Sequence, residues 1–157
     1  PTSPQPEWRV AVLGIGMMGF PMGRRLCEAG CRVSVWNRSR SKAERLTPFG
    51  ARVADTPAEA VRDADIVITL LEDGGVVDDV LFQQGTSDSL ARGSLVIDMS
   101  SIQPRQARDH AARLGALGVH HLDAPVSGGT VGAEAGTLAI MVGGKPGDFD
   151  RARPVFE

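Results

Sequence analysis

A chain of 157 residues with 42% apolar and 23% charged residues can hold one domain with a full core. Its net charge of −2 gives no reason to expect nucleic acid or an anionic membrane as a partner, and no apolar run nears the roughly 18 residues that would span a bilayer. The two cysteines, Cys27 and Cys31, are too few for a disulfide framework and lack the His or Cys partners of a metal site, so no metal and a reducing cytoplasm are expected.

The opening Pro1 to Glu7 lacks the basic and apolar regions of a secretion signal and is expected to be a flexible tail. Trp8 to Leu13 predicts a first strand, and Met17 to Ala29 a helix stopped by Gly30. Arg32 to Trp36 alternates with period two, as a strand does. Ser41 to Phe49 predicts a short helix ending at Gly50. Thr56-Pro57-Ala58-Glu59 is a capping box with proline at the first helical position. Ile66 to Leu71 is a continuous apolar run, the mark of a strand buried on both faces. Leu95 to Asp98 is another strand, Pro104 to Leu117 a helix ended by Gly118, and His120 to Asp123 and Leu138 to Val142 two further short strands. Pro146 to Phe156 starts a last helix, inside which the chain stops, as expected of a domain excised from a longer chain. Strands and helices in alternation predict an α/β fold: a Rossmann-type, doubly wound, mostly parallel sheet with helices on both faces, over residues 8–157.

The turn after the first strand carries the chemistry. Gly14-Ile15-Gly16-Met17-Met18-Gly19 is a G-x-G-x-x-G between a strand and a helix, the context in which that spacing has meaning. Gly14 permits a tight turn, Gly16 keeps side-chain atoms away from a pyrophosphate, and Gly19 lets the helix approach the strand. The free N–H groups of the helix start can then hold the phosphates of a dinucleotide. The tip of the second strand selects the cofactor. NAD-binding proteins tend to place a carboxylate there for the adenosine ribose hydroxyls, whereas this chain has Asn37-Arg38-Ser39, with Lys42 one helical turn on. A guanidinium grips a phosphate in bidentate fashion, so these residues favour the 2′-phosphate of NADP, with NAD as the other possibility.

Asp123-Ala124-Pro125-Val126-Ser127-Gly128-Gly129 is the most specific string. Together with the glycine turn, Asn37-Arg38-Ser39, Asp98-Met99-Ser100-Ser101 and Ala135-Gly136-Thr137-Leu138, it resembles the β-hydroxyacid dehydrogenase family. That family includes 3-hydroxyisobutyrate dehydrogenases and tartronate semialdehyde (2-hydroxy-3-oxopropionate) reductases. The resemblance implies the amino-terminal NADP domain of an oxidoreductase that moves a hydride between NADP and a small hydroxy acid or semialdehyde. It implies that Ser127, Gly128 and Gly129 bind substrate and that Leu70, Leu71, Val76 and Ser101 touch the cofactor; apart from the resemblance, the apolar Pro154, Val155 and Phe156 near the last helix invite self-association, so a homo-oligomer is expected. The resemblance also implies an all-helical domain and a catalytic lysine beyond Glu157. Lys42 belongs at the adenosine end and Lys145 at the start of the last helix, so this chain by itself is expected to hold no catalytic residue. Glu72 stands where the family tends to have proline, beside the nicotinamide side of the site.

Three rivals share parts of the pattern. An imine reductase has the same half, but Ser127-Gly128-Gly129 argues against it. A non-catalytic dinucleotide-binding module fits the fragment as it stands. A methyltransferase would want an acid where Asn37 is. Asp98 and Asp123 end strands, where caps or turns are the better reading. His120 and His121 are adjacent strand residues on opposite faces and cannot act as a pair.

Overall fold

The computed structural model describes residues 8–16, 18–124, 126–127 and 139–140. Met17, Gly128, Gly129, Lys145, the expected tail 1–7 and the expected last helix lie outside the described residues.

Six parallel strands form the sheet: β1 (Arg9–Leu13), β2 (Arg32–Trp36), β3 (Arg52–Val53), β4 (Ile66–Thr69), β5 (Leu95–Asp98) and β6 (His120–Asp123), in the order β3-β2-β1-β4-β5-β6. This is the expected Rossmann-type architecture. The order reverses beside β1, so β2 and β4 flank it on opposite sides and their carboxyl ends open a crevice there. Every residue of β4 and β5 is buried, which is why Ile66 to Ile68 and Leu95 to Ile97 read as apolar runs rather than as alternation. Val10, Val12, Ile66, Ile68 and Ile97 join the core on one face of the sheet, and Ala11, Leu13, Val67 and Val96 the core on the other. A further pair, β7 (Val126–Ser127) and β8 (Ala139–Ile140), is antiparallel.

The helices are α1 (Gly19–Glu28), α2 (Arg40–Glu44), α3 (Pro57–Val61), α4 (Gly74–Asp78), α5 (Thr86–Ser89) and α6 (Pro104–Gly115). The helix expected over Ser41 to Phe49 is broken in two: α2 ends at Glu44, and a separate 3-10 turn covers Thr47–Phe49 with Gly50 left-handed at φ 102°. Pro48 supplies no N–H, which explains the break. The Thr56 cap is present, with its hydroxyl accepting from the Glu59 N–H at 3.1 Å. The reciprocal arm reaches one residue further back, Glu59 Oε2 accepting from the Asp55 N–H at 3.2 Å.

Several regions, α5 among them, carry structure that the sequence pattern does not announce. Strand β3 is too short for alternation to register. Residues 74–83 fold as α4 continued by a π-helical turn, Asp79–Gln83, despite Gly74, Gly75 and the β-branched Val76 and Val77. The Asp73 carboxylate starts α4 by accepting from the Val76 N–H at 3.0 Å, and Val77, Val80 and Leu81 anchor the segment in the core.

Candidate functional site

A cleft of about 570 Å³ opens at the carboxyl ends of β1, β2 and β4, lined by Gly14, Gly16, Met18 and Gly19 on its floor. The three glycines of the motif do different work. Gly14 sits at φ 106°, and a Cβ there would collide with the Leu70 carbonyl. A Cβ on Gly19 would collide with the carbonyl of Gly14, so the helix is packed onto the turn itself. Around Gly16 an added Cβ meets no described atom within 4 Å. The fold therefore does not require glycine at position 16, and the room beside it belongs to the cleft.

The tip of β2 forms one wall through Asn37, Arg38, Ser39 and Lys42. Asn37 is a bracket: its Oδ1 accepts from the Ile15 N–H and its Nδ2 donates to the Ser39 carbonyl, both at 2.9 Å. The Gly14 N–H donates to the Trp36 carbonyl at 2.9 Å, so the turn is tied twice to the end of β2. Ile15 departs from the group expected to face a cofactor. Its side chain is 2% exposed in the core, and Asn37 engages its N–H. Arg38 and Lys42 are exposed and form no ion pair among the described residues, whereas their neighbour Arg40 pairs with Glu44 and Asp55.

The opposite wall is formed by Leu70, Leu71, Val76 and Ser101, together with Glu72, Asp79 and Ser100. Asp98 holds this wall in place. Completely buried, it accepts on Oδ1 from the Thr69 hydroxyl and the Ser100 N–H, each at 2.9 Å. Ser100 Oγ in turn accepts from the Leu71 N–H at 2.9 Å. Asp98 thus has the turn role expected, but inside the protein rather than at its surface. Ser100 and Asp79 were not singled out from sequence. A serine two residues past a strand-ending aspartate was the one available signal for Ser100, and nothing local marked Asp79.

Burial raises the Asp98 carboxyl above the usual aspartate range, despite hydrogen bonds from Ser100 and Thr69 that pull the other way. Asp123, opposite it on β6, is raised by burial and then by the charge of Asp98. His121 is pushed down to about 4 by burial, with His110 adding to the effect. His120 is exposed and His121 buried, as opposite faces require. Neither cysteine is in a disulfide, and burial raises both thiols, which disfavours the nucleophilic thiolate. One group among the described residues has metal-ligand spacing, Asp78, Asp109 and His110. The Arg113 guanidinium lies 2.9 Å from Asp78 and 3.6 Å from Asp109, which makes this an ion-pair network. No described helix is long and apolar enough to cross a membrane.

Glycine turn, switch-point cleft and parallel sheet together define a dinucleotide-binding domain. The chain belongs to the family of the NAD binding domain of 6-phosphogluconate dehydrogenase, whose model matches residues 9–157. It is 42% identical over 149 residues to a 3-hydroxyisobutyrate dehydrogenase of Pseudomonas aeruginosa, covering 94% of this chain and 50% of that one. It is 37% identical over 150 residues to a 2-hydroxy-3-oxopropionate reductase of Escherichia coli, covering 95% and 51%. Among solved structures, a 3-hydroxyisobutyrate dehydrogenase of Mycobacterium tuberculosis with L-serine superposes with a TM-score of 0.92 at 40% identity, covering 96% of this chain and 51% of that chain. Imine reductases share the fold as well, solved with NAD+ and with NADP+. The chain spans about half the length of the curated relatives it matches.

Proposed function

We propose that the chain is the cofactor-holding half of an NADP-dependent β-hydroxyacid dehydrogenase, which exchanges a hydride between NADP(H) and a small 3-hydroxy acid or semialdehyde. The substrate is of the 3-hydroxyisobutyrate or 2-hydroxy-3-oxopropionate kind, and the enzyme works in the cytoplasm as a homo-oligomer. The observation that carries the cofactor choice is the β2 tip. Arg38 and Lys42 line the cleft with no acidic partner among the described residues, and Asn37, the residue after the strand, is engaged by the backbone. A 2′-phosphate supplies the charge that those two cations lack.

In this reading the nicotinamide carries the hydride and the protein positions it. The glycine turn, including Met17 and Met18, holds the pyrophosphate, while Leu71, Val76 and Ser101 bound the cofactor beyond it. Ser127, Gly128 and Gly129 orient the substrate. The lysine implied by the family resemblance, beyond Glu157, gives or takes the proton. Calorimetric titration tests the cofactor choice: NADPH binds more tightly than NADH, and Arg38→Ala weakens NADPH by about 1.5–3 kcal/mol, the worth of a charge-assisted hydrogen bond, while leaving NADH nearly unchanged. Equal affinities for the two cofactors overturn it. An imine-reductase activity is the second reading, supported by the imine reductases that share the fold. Assays of the complete protein with a cyclic imine and with 3-hydroxyisobutyrate separate the two.

A further inference from the structure

The end of the sheet opposite the cleft has its own charge pattern. Strands β1, β2 and β3 each begin with an arginine, Arg9, Arg32 and Arg52, and the residue that closes α3 is Arg62. Parallel register puts Arg9 beside Arg32, and Arg52 beside Ser34 two residues further along β2. All four arginines line one groove of about 520 Å³, which shares no described residue with the switch-point cleft.

Neighbouring strands lie about 4.8 Å apart, and like charges side by side on them repel. None of the four guanidiniums forms an ion pair among the described residues. Arg52 donates to the Ser34 hydroxyl at 3.2 Å. Asp65 Oδ2, nearby, accepts from the Arg9 backbone N–H at 3.1 Å. The one carboxylate among the described lining residues is Asp63, held at φ 66°. Among the described residues, four arginines thus line the groove with one acid, Asp63, and a second, Asp65, nearby, whereas the switch-point cleft sets Arg38 and Lys42 against Glu72 and Asp79. In a chain of net charge −2, that local excess is a focused positive field.

We propose that this groove binds a small polyphosphate anion. Four arginines lining one groove can offer their guanidiniums to several phosphate oxygens at once, through paired charge-assisted hydrogen bonds. The described lining holds no aromatic side chain on which a base could stack, and the four arginines line a concave groove. A base-free, phosphate-rich small molecule therefore fits better than a nucleotide or a nucleic acid. The groove and the proposed cofactor cleft are separate sites, and each can be tested without the other.

Inorganic triphosphate is the probe, titrated calorimetrically into the chain at physiological salt. One saturable site is expected. Replacing two of the lining arginines together, Arg32→Ser with Arg52→Ser, weakens it by about tenfold or more. Asp63→Asn, which removes the acid and keeps a residue tolerant of left-handed backbone, tightens it by about threefold. Gly16→Val leaves it unchanged. The arginines are exposed, so the double variant should fold; if it does not, Asp63→Asn alone decides. Loss of triphosphate binding in Gly16→Val would place the anion in the cofactor cleft and overturn the proposal. So would an unchanged affinity in the folded double variant, no tightening in Asp63→Asn, several weak sites instead of one, or tighter binding of duplex RNA or an acidic peptide than of triphosphate.

Discussion

At the scale of single residues, the three glycines of one motif separate by what surrounds them. Gly14 and Gly19 are glycine because backbone carbonyls stand where a Cβ would go, whereas Gly16 has open space on that side. Gly16→Val should therefore fold with a melting temperature close to that of the parent and bind no NADPH, since its side chain enters the pyrophosphate position. Gly19→Ala should cost about 1–3 kcal/mol of stability, because rigid backbone has to move to admit the methyl group. Urea melts and fluorescence titration of both variants check this. Reversal of the two behaviours would show that the turn had been assigned wrongly. The same scale separates Asn37 from Arg38: adjacent in sequence, one has its polar atoms engaged by the protein and the other has none engaged among the described residues.

At the scale of elements, β5, β6 and α6 enclose a group of polar side chains that the sequence does not reveal as a group. Asp98 Oδ2, His110 Nδ1, His121 Nε2 and Asp123 Oδ1 are buried with no hydrogen-bond partner among the described residues. Burial at such positions disfavours charge, so His121 is neutral in the folded chain and protonates there only near pH 4, against 6.5 when unfolded. The unfolded chain thus takes the proton first as pH falls. Stability from this residue is complete above about pH 6.5 and is lost between there and pH 4, by no more than about 3 kcal/mol. The Asp98 carboxyl, raised above 3.8, works in the other direction: the folded chain takes its proton first, and stability rises as pH falls toward 3.8. His121→Leu isolates the histidine. The difference in unfolding free energy between parent and variant should shrink or reverse in the variant's favour from pH 7.5 to pH 4.5, the contribution of Asp98 cancelling in the comparison. A pH-independent difference would mean that His121 does not titrate as burial dictates.

For the whole molecule, cofactor binding and folding are one equilibrium. A ligand held only by the folded chain adds about 2.7 kcal/mol at a hundredfold excess over its Kd, a rise of roughly 5–10 °C in Tm for a domain of this size. NADP+ should produce that rise and NAD+ a smaller one at equal concentration, read by thermal melts. The same preparation, with NADP+ bound, should oxidise no 3-hydroxyisobutyrate above background. A positioned acid or base is worth about 10²–10⁴-fold in rate, and in the proposed mechanism that group is the lysine beyond Glu157. Turnover comparable with that of a complete relative would remove the lysine from the mechanism.

Much of this molecule is written locally. The glycine spacing after β1, the alternation of Arg32 to Trp36, the apolar run through β4 and the Thr56 cap each act within a few residues, so the sequence alone determined the parallel α/β class and the position of the glycine turn. The family string from Asp123 to Gly129 was equally legible, though Pro125, Gly128 and Gly129 lie outside the described residues. Only the tertiary structure decided what depends on which strand lies beside which. Asn37 meets Ile15 across 22 residues and Thr69 meets Asp98 across 29, because the sheet order makes β2 a neighbour of β1 and β5 a neighbour of β4. The π-helical turn that brings Asp79 to the cleft forms against its propensities because core burial of Val80 and Leu81 outweighs them. Arg9, Arg32, Arg52 and Arg62 look like scattered surface charges along the chain, and parallel register gathers them into one groove. Strand pairing is non-local, so the company a side chain keeps at the end of a strand is fixed by the sheet and not by its neighbours in sequence.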